Sequence, residues 1–376
     1  MESCLTVTQG AFILQRLPQR ANELLRAWDA ADEYLLEHVA GITMTSATRL
    51  LIMNDTFGAL AVALNAWQPT ALSDSYLSQQ ATRINLLGNQ LPERQVTLLS
   101  SLEPMAGFFD IVLIKVPKTL ALLEDELLRL RAHLKPSTII VLAGMLKTMP
   151  ASVWSIIERL LGPTTTSLAK KKARLIFVTF NPDLPAPTNP YPVCYQLEDS
   201  DYLISNHANV FSRDSLDIGT RFFIRHVPVL ADAKDIIDLG CGNGVVGLLA
   251  AQANPAATLH FIDESFMAVA SAKENFHRAF NDRQAVFRVG DSLIEFAAQS
   301  ADVILCNPPF HQHNTIGDQI AVGMFKQAKR VLRAGGELRV IGNRHLGYQQ
   351  QLKQLFGNCD LIAQNAKFVI MACRKN

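Results

Sequence analysis

At 376 residues the chain is longer than one ordinary hydrophobic core organises, so two domains are expected. Hydrophobic residues make up 49% and charged residues 18%, a globular balance that excludes disordered and fibrous classes. Thirty-five lysines and arginines against 34 aspartates and glutamates leave a net charge of +1, so any polyanionic partner must be met by a local patch.

The best membrane-span candidate, residues 50–67, is broken by Asn54, Asp55 and Asn65, and the N-terminus lacks the basic-then-apolar pattern of an export signal. A cytoplasmic protein with no membrane segment is expected. The six cysteines, at 4, 194, 241, 306, 359 and 373, have no metal-ligand spacing, so neither a metal site nor a disulfide framework is expected. Nothing sets an oligomeric state, and a monomer is the simplest expectation.

Residues 1–45 read as mainly helical, with Leu24, Leu25, Trp28, Tyr34, Leu35 and Leu36 at helix-like spacing. From Leu50 the chain alternates apolar runs with amphipathic ones: strands at 50–53, 111–114, 138–142 and 173–180, helices from about 59 and at 120–134 and 152–161. Residues 181–192 carry Pro182, Pro185, Pro187, Pro190 and Pro192, which cannot sustain strand pairing, so 181–205 reads as a linker and the start of a second domain. The alternation then resumes, with strands at 236–239, 258–262, 286–289, 303–306, 337–341 and 368–372. This is an α/β pattern, a mostly parallel twisted sheet with helices on both faces, and it occurs twice.

The halves match in order. Asp110 to Lys118 sits where Asp302 to Phe310 sits; Leu51 to Gly58 parallels Ile237 to Gly244; Leu134-Lys-Pro-Ser parallels Leu332-Arg-Ala-Gly. In the first copy Asn54 and Thr56 replace two glycines, and Lys115-Val116 replaces Asn307-Pro308. A duplication is expected: residues 1–180 a degenerate copy, residues 206–376 the active one.

Two stretches of the second copy carry chemistry. Asp238-Leu-Gly240-Cys-Gly242-Asn-Gly244-Val-Val-Gly247 reads as strand end, glycine turn and helix start, suited to close approach of a ligand. Asp263, at the end of the next strand, can accept hydrogen bonds from a ribose diol, and Gly290-Asp291 ends the third strand, where Asp291 could also be a plain helix cap. These glycines also satisfy a dinucleotide fingerprint, so NAD remains open on this segment alone. The second stretch is Asn307-Pro308-Pro309-Phe310, a stiff turn after a buried strand. The Asn307 amide oxygen and the Pro308 carbonyl can accept two hydrogen bonds from one amino group, while Phe310 offers a ring to a flat partner. His311 and His313 lie just beyond, without further ligands for a metal.

The order D-x-G-x-G-x-G, acidic residue, Gly-Asp, then Asn-Pro-Pro-Phe resembles class I S-adenosylmethionine-dependent methyltransferases acting on exocyclic or amide nitrogens. Together with Asn206-His207-Ala208-Asn209-Val210-Phe211-Ser212-Arg213-Asp214-Ser215-Leu216-Asp217-Ile218-Gly219-Thr220-Arg221 and His311-Gln312, it resembles the RsmC/RlmG family of ribosomal RNA guanine-N2 methyltransferases. Segments of the first half, such as Ala27 to Leu36 and Leu161 to Thr166, are similar to the large-subunit branch. The resemblance implies two tandem Rossmann-like domains, the N-terminal one degenerate, S-adenosylmethionine as cofactor, 23S rRNA as partner and 2-methylguanosine as product.

Carried over by residue, the resemblance implies cofactor contacts at Asp238, Gly240, Gly242, Gly244, Asp263, Asp291 and Asn307. It implies catalytic roles for Asn307, Pro308 and Phe310, and RNA contacts at Pro309, His311, Phe211 and Arg213. The basic runs Lys170-Lys171-Lys172 with Arg174, and Arg129 to Lys135, are expected to help grip RNA, although each also reads as a solvated edge or helix end. The alternatives are transfer to 16S rRNA guanine N2, adenine N6 or protein glutamine N5, and a non-catalytic RNA-binding protein with a vestigial site.

Overall fold

The computed structural model describes residues 3–19, 23–309 and 315–376. The chain divides into two compact units, residues 1–191 and 192–376. Among the described residues no helix is long and apolar enough to cross a membrane, and no group of His, Cys, Asp and Glu could hold a metal ion.

The first unit opens with an antiparallel hairpin, β1 (Cys4–Val7) and β2 (Gly10–Ile13), which corrects the helical expectation for residues 1–45. Leu5 is buried between exposed Cys4 and Thr6, an alternation that suits a strand, and Gly10 turns the chain at φ +143°. Leu24 and Leu25, read as a helix face, are 85% and 45% exposed. Among the described residues of this stretch only α1 (Ala30–Val39) is helical, and it starts where Asp29 and Asp32 cap each other's backbone N–H groups.

A seven-stranded sheet follows, built from β3 (Leu50–Met53), β4 (Thr70–Ser73), β5 (Thr97–Ser100), β6 (Ile111–Lys115), β7 (Ile139–Met145), β8 (Thr164–Thr166) and β9 (Ala173–Val178). Its strand order is β5-β4-β3-β6-β7-β9-β8, parallel except for the pairs that β9 makes. Helices α2 (Ala59–Ala63), α3 (Tyr76–Gly88), α4 (Leu120–Leu130) and α5 (Ala151–Leu160) connect the strands. All four residues of β3 are buried, because this central strand is covered on both faces.

The second unit begins with the hairpin β10 (Val193–Gln196) and β11 (Leu203–Asn206), then α6 (Ile218–Ile224). Its sheet comprises β12 (Asp235–Leu239), β13 (Thr258–Asp263), β14 (Ala285–Val289), β15 (Ala301–Cys306), β16 (Leu332–Asn343), β17 (Asp360–Gln364) and β18 (Phe368–Arg374). Helices α7 (Val245–Ala253), α8 (Phe266–Phe280), α9 (Thr315–Val331) and α10 (Tyr348–Phe356) join them. The order is β14-β13-β12-β15-β16-β18-β17, so strand for strand the two sheets have one topology. In each, the first and fourth strands are neighbours whose connections depart in opposite directions, which opens a crevice at their carboxyl ends.

In the first unit that crevice is filled by its own side chains. Lys115, at the register position of Asn307, places Nζ 2.8 Å from Asp29 Oδ1 and 2.6 Å from Asp32 Oδ1. Asn54, left-handed at φ +63°, donates Nδ2 to Glu126 Oε2 at 2.7 Å. Asp55 Oδ2 accepts from the N–H groups of Leu60 and Ala61, both at 2.9 Å.

Burial, aided by the charge of Asp32, pushes Asp55 up to about 7, and burial pushes Glu126 up to about 8. Both groups hold their protons more tightly folded than unfolded. Their contribution to stability is therefore whole below a pH of about 4 and is lost as pH rises through 7 and 8. The melting temperature is expected to fall between about pH 4 and about pH 8, and Glu126→Gln, a neutral isostere, to blunt that fall. Thermal melts across this range check it; a variant that melts with the wild-type pH profile contradicts it.

Candidate active site

Leu239 and Cys306 are register partners in parallel β12 and β15, so the turns that follow them lie side by side. The first turn is left-handed at Gly240, Gly242 and Gly244, with φ of +73°, +53° and +79°. Its glycines have different reasons. A Cβ on Gly242 would meet nothing within 4 Å, and one on Gly240 would find only Asn307 O and Met324 Cε, both at 3.8 Å. These two line open space. A Cβ on Gly244 would instead sit 2.8 Å from Ala272 Cβ, and one on Gly247 would strike the Phe261 ring, so these two let α7 close onto its neighbours. Gly244 is thus placed against α8, not at the crevice.

Asp238 is 3% exposed and its Oδ2 accepts from the Gly247 N–H at 2.8 Å, pinning the helix start to the strand end. Burial, opposed by that hydrogen bond and supported by the charge of Asp263, pushes its carboxyl up to about 8. Asp263, at the end of β13, accepts from Gly242 N at 3.0 Å through Oδ2 and from Ser265 N at 3.1 Å through Oδ1. A carboxylate has further lone pairs, so Asp263 can hold the glycine turn and still accept from a hydroxyl. Half-buried Asp291 follows Gly290, whose N–H donates to Asp263 O at 2.9 Å; burial raises its carboxyl against a hydrogen bond from Ser292.

Asn307 ends β15. Its Nδ2 donates to Thr220 Oγ1 at 3.2 Å, and its Oδ1 is buried with no hydrogen-bond partner among the described residues. Such an orphaned acceptor costs on the order of 1–3 kcal/mol, which a donor from outside the chain would recover. Pro308 is buried beside it and Pro309 is exposed. Phe310 and His311 lie outside the described residues.

The segment before α6 is stitched to the glycine turn by polar side chains that motif reading did not single out. Asn243 Nδ2 donates to Asn206 Oδ1 at 2.9 Å, while Asn275 Nδ2 bridges Ser205 O and Asn243 O, both at 2.9 Å. Phe211 is 69% exposed, and Arg213 donates to Ala208 O and to Asp214. Phe223 belongs to the core, with Phe222 packed against it.

The basic runs expected to meet RNA are largely engaged internally. Lys170 and Lys171 pair with Glu37 and Glu33 of α1, leaving Lys172 exposed and Arg174 half-buried. Arg129 donates to Ser101 O and Glu103 O, Arg131 to Leu160 O and Leu184 O, and the His133 ring bonds Gly107 O. Charges at those positions act first as pins on carbonyls and glutamates.

Open space over Gly240 and Gly242, carboxylates at the ends of β13 and β14, and an unused acceptor at Asn307 fit S-adenosylmethionine: Asp263 for the ribose, Asp291 for the base, the glycine turn for the amino-acid end.

Comparison with known proteins agrees with this reading of the fold. Residues 2–182 match the family model described as RLMG N-terminal domain, and residues 201–372 match the methyltransferase small domain. The chain is 48% identical to a ribosomal RNA large subunit methyltransferase G of Streptomyces avermitilis, covering 100% of both chains. To the Erwinia tasmaniensis protein of the same name it is 51% identical, covering 98% of each. Among solved structures, the 16S rRNA N2 methyltransferase RsmC of T. thermophilus, in complex with AdoMet and guanosine, superposes with a TM-score of 0.75 at 20% identity, covering 99% of this chain and 97% of that one.

The division among the glycines is testable. Gly242→Ala is expected to fold, at a cost of about 1–2 kcal/mol for its left-handed backbone, yet to lose S-adenosylmethionine binding because its methyl enters the open space. Gly244→Ala is expected to lower the melting temperature more, since its methyl meets α8. Thermal melts and calorimetric titration of both variants check this; equal losses of stability contradict it.

Proposed function

Because the chain belongs to the ribosomal RNA large subunit methyltransferase G family, we propose that it methylates the exocyclic N2 of a guanine in 23S rRNA, giving 2-methylguanosine. The observation that carries the reading is the buried Oδ1 of Asn307 beside the glycine turn, which has no hydrogen-bond partner among the described residues. S-adenosylmethionine supplies a methyl group on a positively charged sulfur.

The chain's own residues prepare the nitrogen. A guanine amine is a poor nucleophile because its lone pair is delocalised into the ring. Asn307 Oδ1 and the Pro308 carbonyl accept its two N–H groups and draw the nitrogen toward a pyramidal geometry, which frees the lone pair for attack. The prolines hold the Pro308 carbonyl still, since their φ angles are fixed. No general base is required, because the proton becomes acidic once the nitrogen carries the new bond and leaves to water. A guanine within a duplex would first have to leave its stack, and the Phe310 ring is suited to receive it.

The first unit holds a second seven-stranded sheet, which favours this reading over glutamine-N5 transfer, for which a small helical N-terminal domain is expected. Its filled crevice suits a part that binds no cofactor and supports RNA binding or structure. A ribosomal RNA substrate favours a cytoplasmic location. On the second unit, exposed Phe211 and Pro309 are the side chains we assign to RNA, with Lys172 on the first.

Labelled methyl transfer to purified 23S rRNA, 16S rRNA and release-factor protein, followed by nucleoside analysis, tests the assignment. Label is expected in N2-methylguanosine of 23S rRNA alone; label in protein or in N6-methyladenosine overturns it. Asn307→Ala is expected to lower transfer by a factor of roughly a hundred or more while leaving S-adenosylmethionine affinity within a few-fold, because the lost interaction is made to the acceptor.

A further inference from the structure

We propose that Asp217 and Thr220 form a hydrogen-bond relay that decides which way the Asn307 amide faces, making Thr220 a positioning residue for the acceptor amine. The inference deepens the function proposed above and rests on it.

An asparagine amide carries an acceptor on one side and a donor on the other, and the two ends have nearly the same shape. Packing alone therefore selects poorly between them. For Asn307 the choice matters: with Oδ1 toward the crevice it accepts from an amine, and with Nδ2 there it opposes one.

The structure shows how the choice is made. Asn307 Nδ2 donates to Thr220 Oγ1 at 3.2 Å, joining residues 87 apart in the chain. A threonine hydroxyl has one proton to give. Asp217 Oδ2 lies 3.4 Å from Thr220 Oγ1 as acceptor of that proton and also accepts from Thr220 N at 2.9 Å. A charged carboxylate outcompetes a neutral amide oxygen for a hydroxyl proton. The hydroxyl then presents only lone pairs to Asn307, and only the NH2 end can bond to them. Oδ1 is turned the other way, where it is buried and without a partner among the described residues. A flipped amide would set two lone pairs against each other.

The relay is held on a firm base. Asp217 caps α6, whose Phe223 is fully buried. A Cβ on Gly219 would lie 2.9 Å from Asp217 Oδ2 and 3.2 Å from Phe368 Cε1, so the helix start is closely fitted against β18.

Thr220→Val keeps the shape and removes the relay. In wild-type protein and in the Val and Ser variants, three quantities are measured: kcat for methyl transfer to 23S rRNA, the Kd for S-adenosylmethionine, and inhibition by guanosine against inosine, which lacks the 2-amino group. Thr220→Val is expected to lower kcat about tenfold or more, to leave cofactor Kd within about twofold, and to lose the preference for guanosine over inosine. Thr220→Ser is expected to restore most of the lost kcat and the preference. If the Val variant folds poorly, Asp217→Ala makes the same comparison, since it frees the hydroxyl proton for Asn307 Oδ1 and should lower kcat at unchanged cofactor affinity. A Val variant with wild-type kcat, equal losses in Val and Ser, or losses that follow cofactor Kd overturn the relay alone. Wild-type protein that transfers no methyl to RNA overturns the function and the relay with it.

Discussion

The parallel pairing of β12 with β15 is the constraint on which the second unit depends. Leu239 and Cys306 end side by side, so the glycine turn and the Asn-Pro-Pro turn cannot be far apart, whatever the loops elsewhere do. The strand order makes those neighbours the place where the connections diverge, so the crevice is a product of topology before any side chain contributes. Side chains then specialise it. Asp238 and Asp263 tie the glycine turn down from two adjoining strands, and Asn307 keeps one acceptor in reserve.

The same frame appears in the first unit with its chemistry rearranged. In the second unit the N–H of Gly247 is received by Asp238 from within the first strand; in the first unit the equivalent N–H, on Ala61, is received by Asp55 from the turn itself. The carboxylate that pins the helix start thus moves from strand to turn, while Asn54 and Thr56 take the positions of Gly240 and Gly242. Lys115 completes the closure from the fourth strand. One fold therefore supports an open and a filled crevice with the same strand register.

Much of the site was legible because its residues are contiguous. A glycine turn and an Asn-Pro-Pro turn each carry their meaning within ten residues, and the order of the two states the topology. What could not be read are meetings across the chain. Thr220 sits in a recognisable stretch, but its partner lies 87 residues on. The lysines at 170 and 171 look like a cationic patch until the fold brings Glu37 and Glu33, more than 130 positions away, onto them. The four-residue strands β4 and β5 and the opening hairpins were missed for another reason: so short an alternation carries little periodic signal. The glycines divide in the same way. Spacing identifies all four, but only the position of Ala272 and Phe261 tells a packing glycine from one that faces the crevice.

The ion pairs of Lys115 carry an evolutionary consequence. Asp32 is almost wholly buried and depends on that lysine for its counter-charge. Restoring an asparagine there in one step would leave a buried carboxylate unneutralised, at about 3–5 kcal/mol against a typical domain stability of about 5–15 kcal/mol. The route back to a working crevice therefore passes through an unstable intermediate. The repeated fold behaves as a ratchet: a copy locked by its own charges is hard to reopen, so a division of labour between two such copies is hard to reverse.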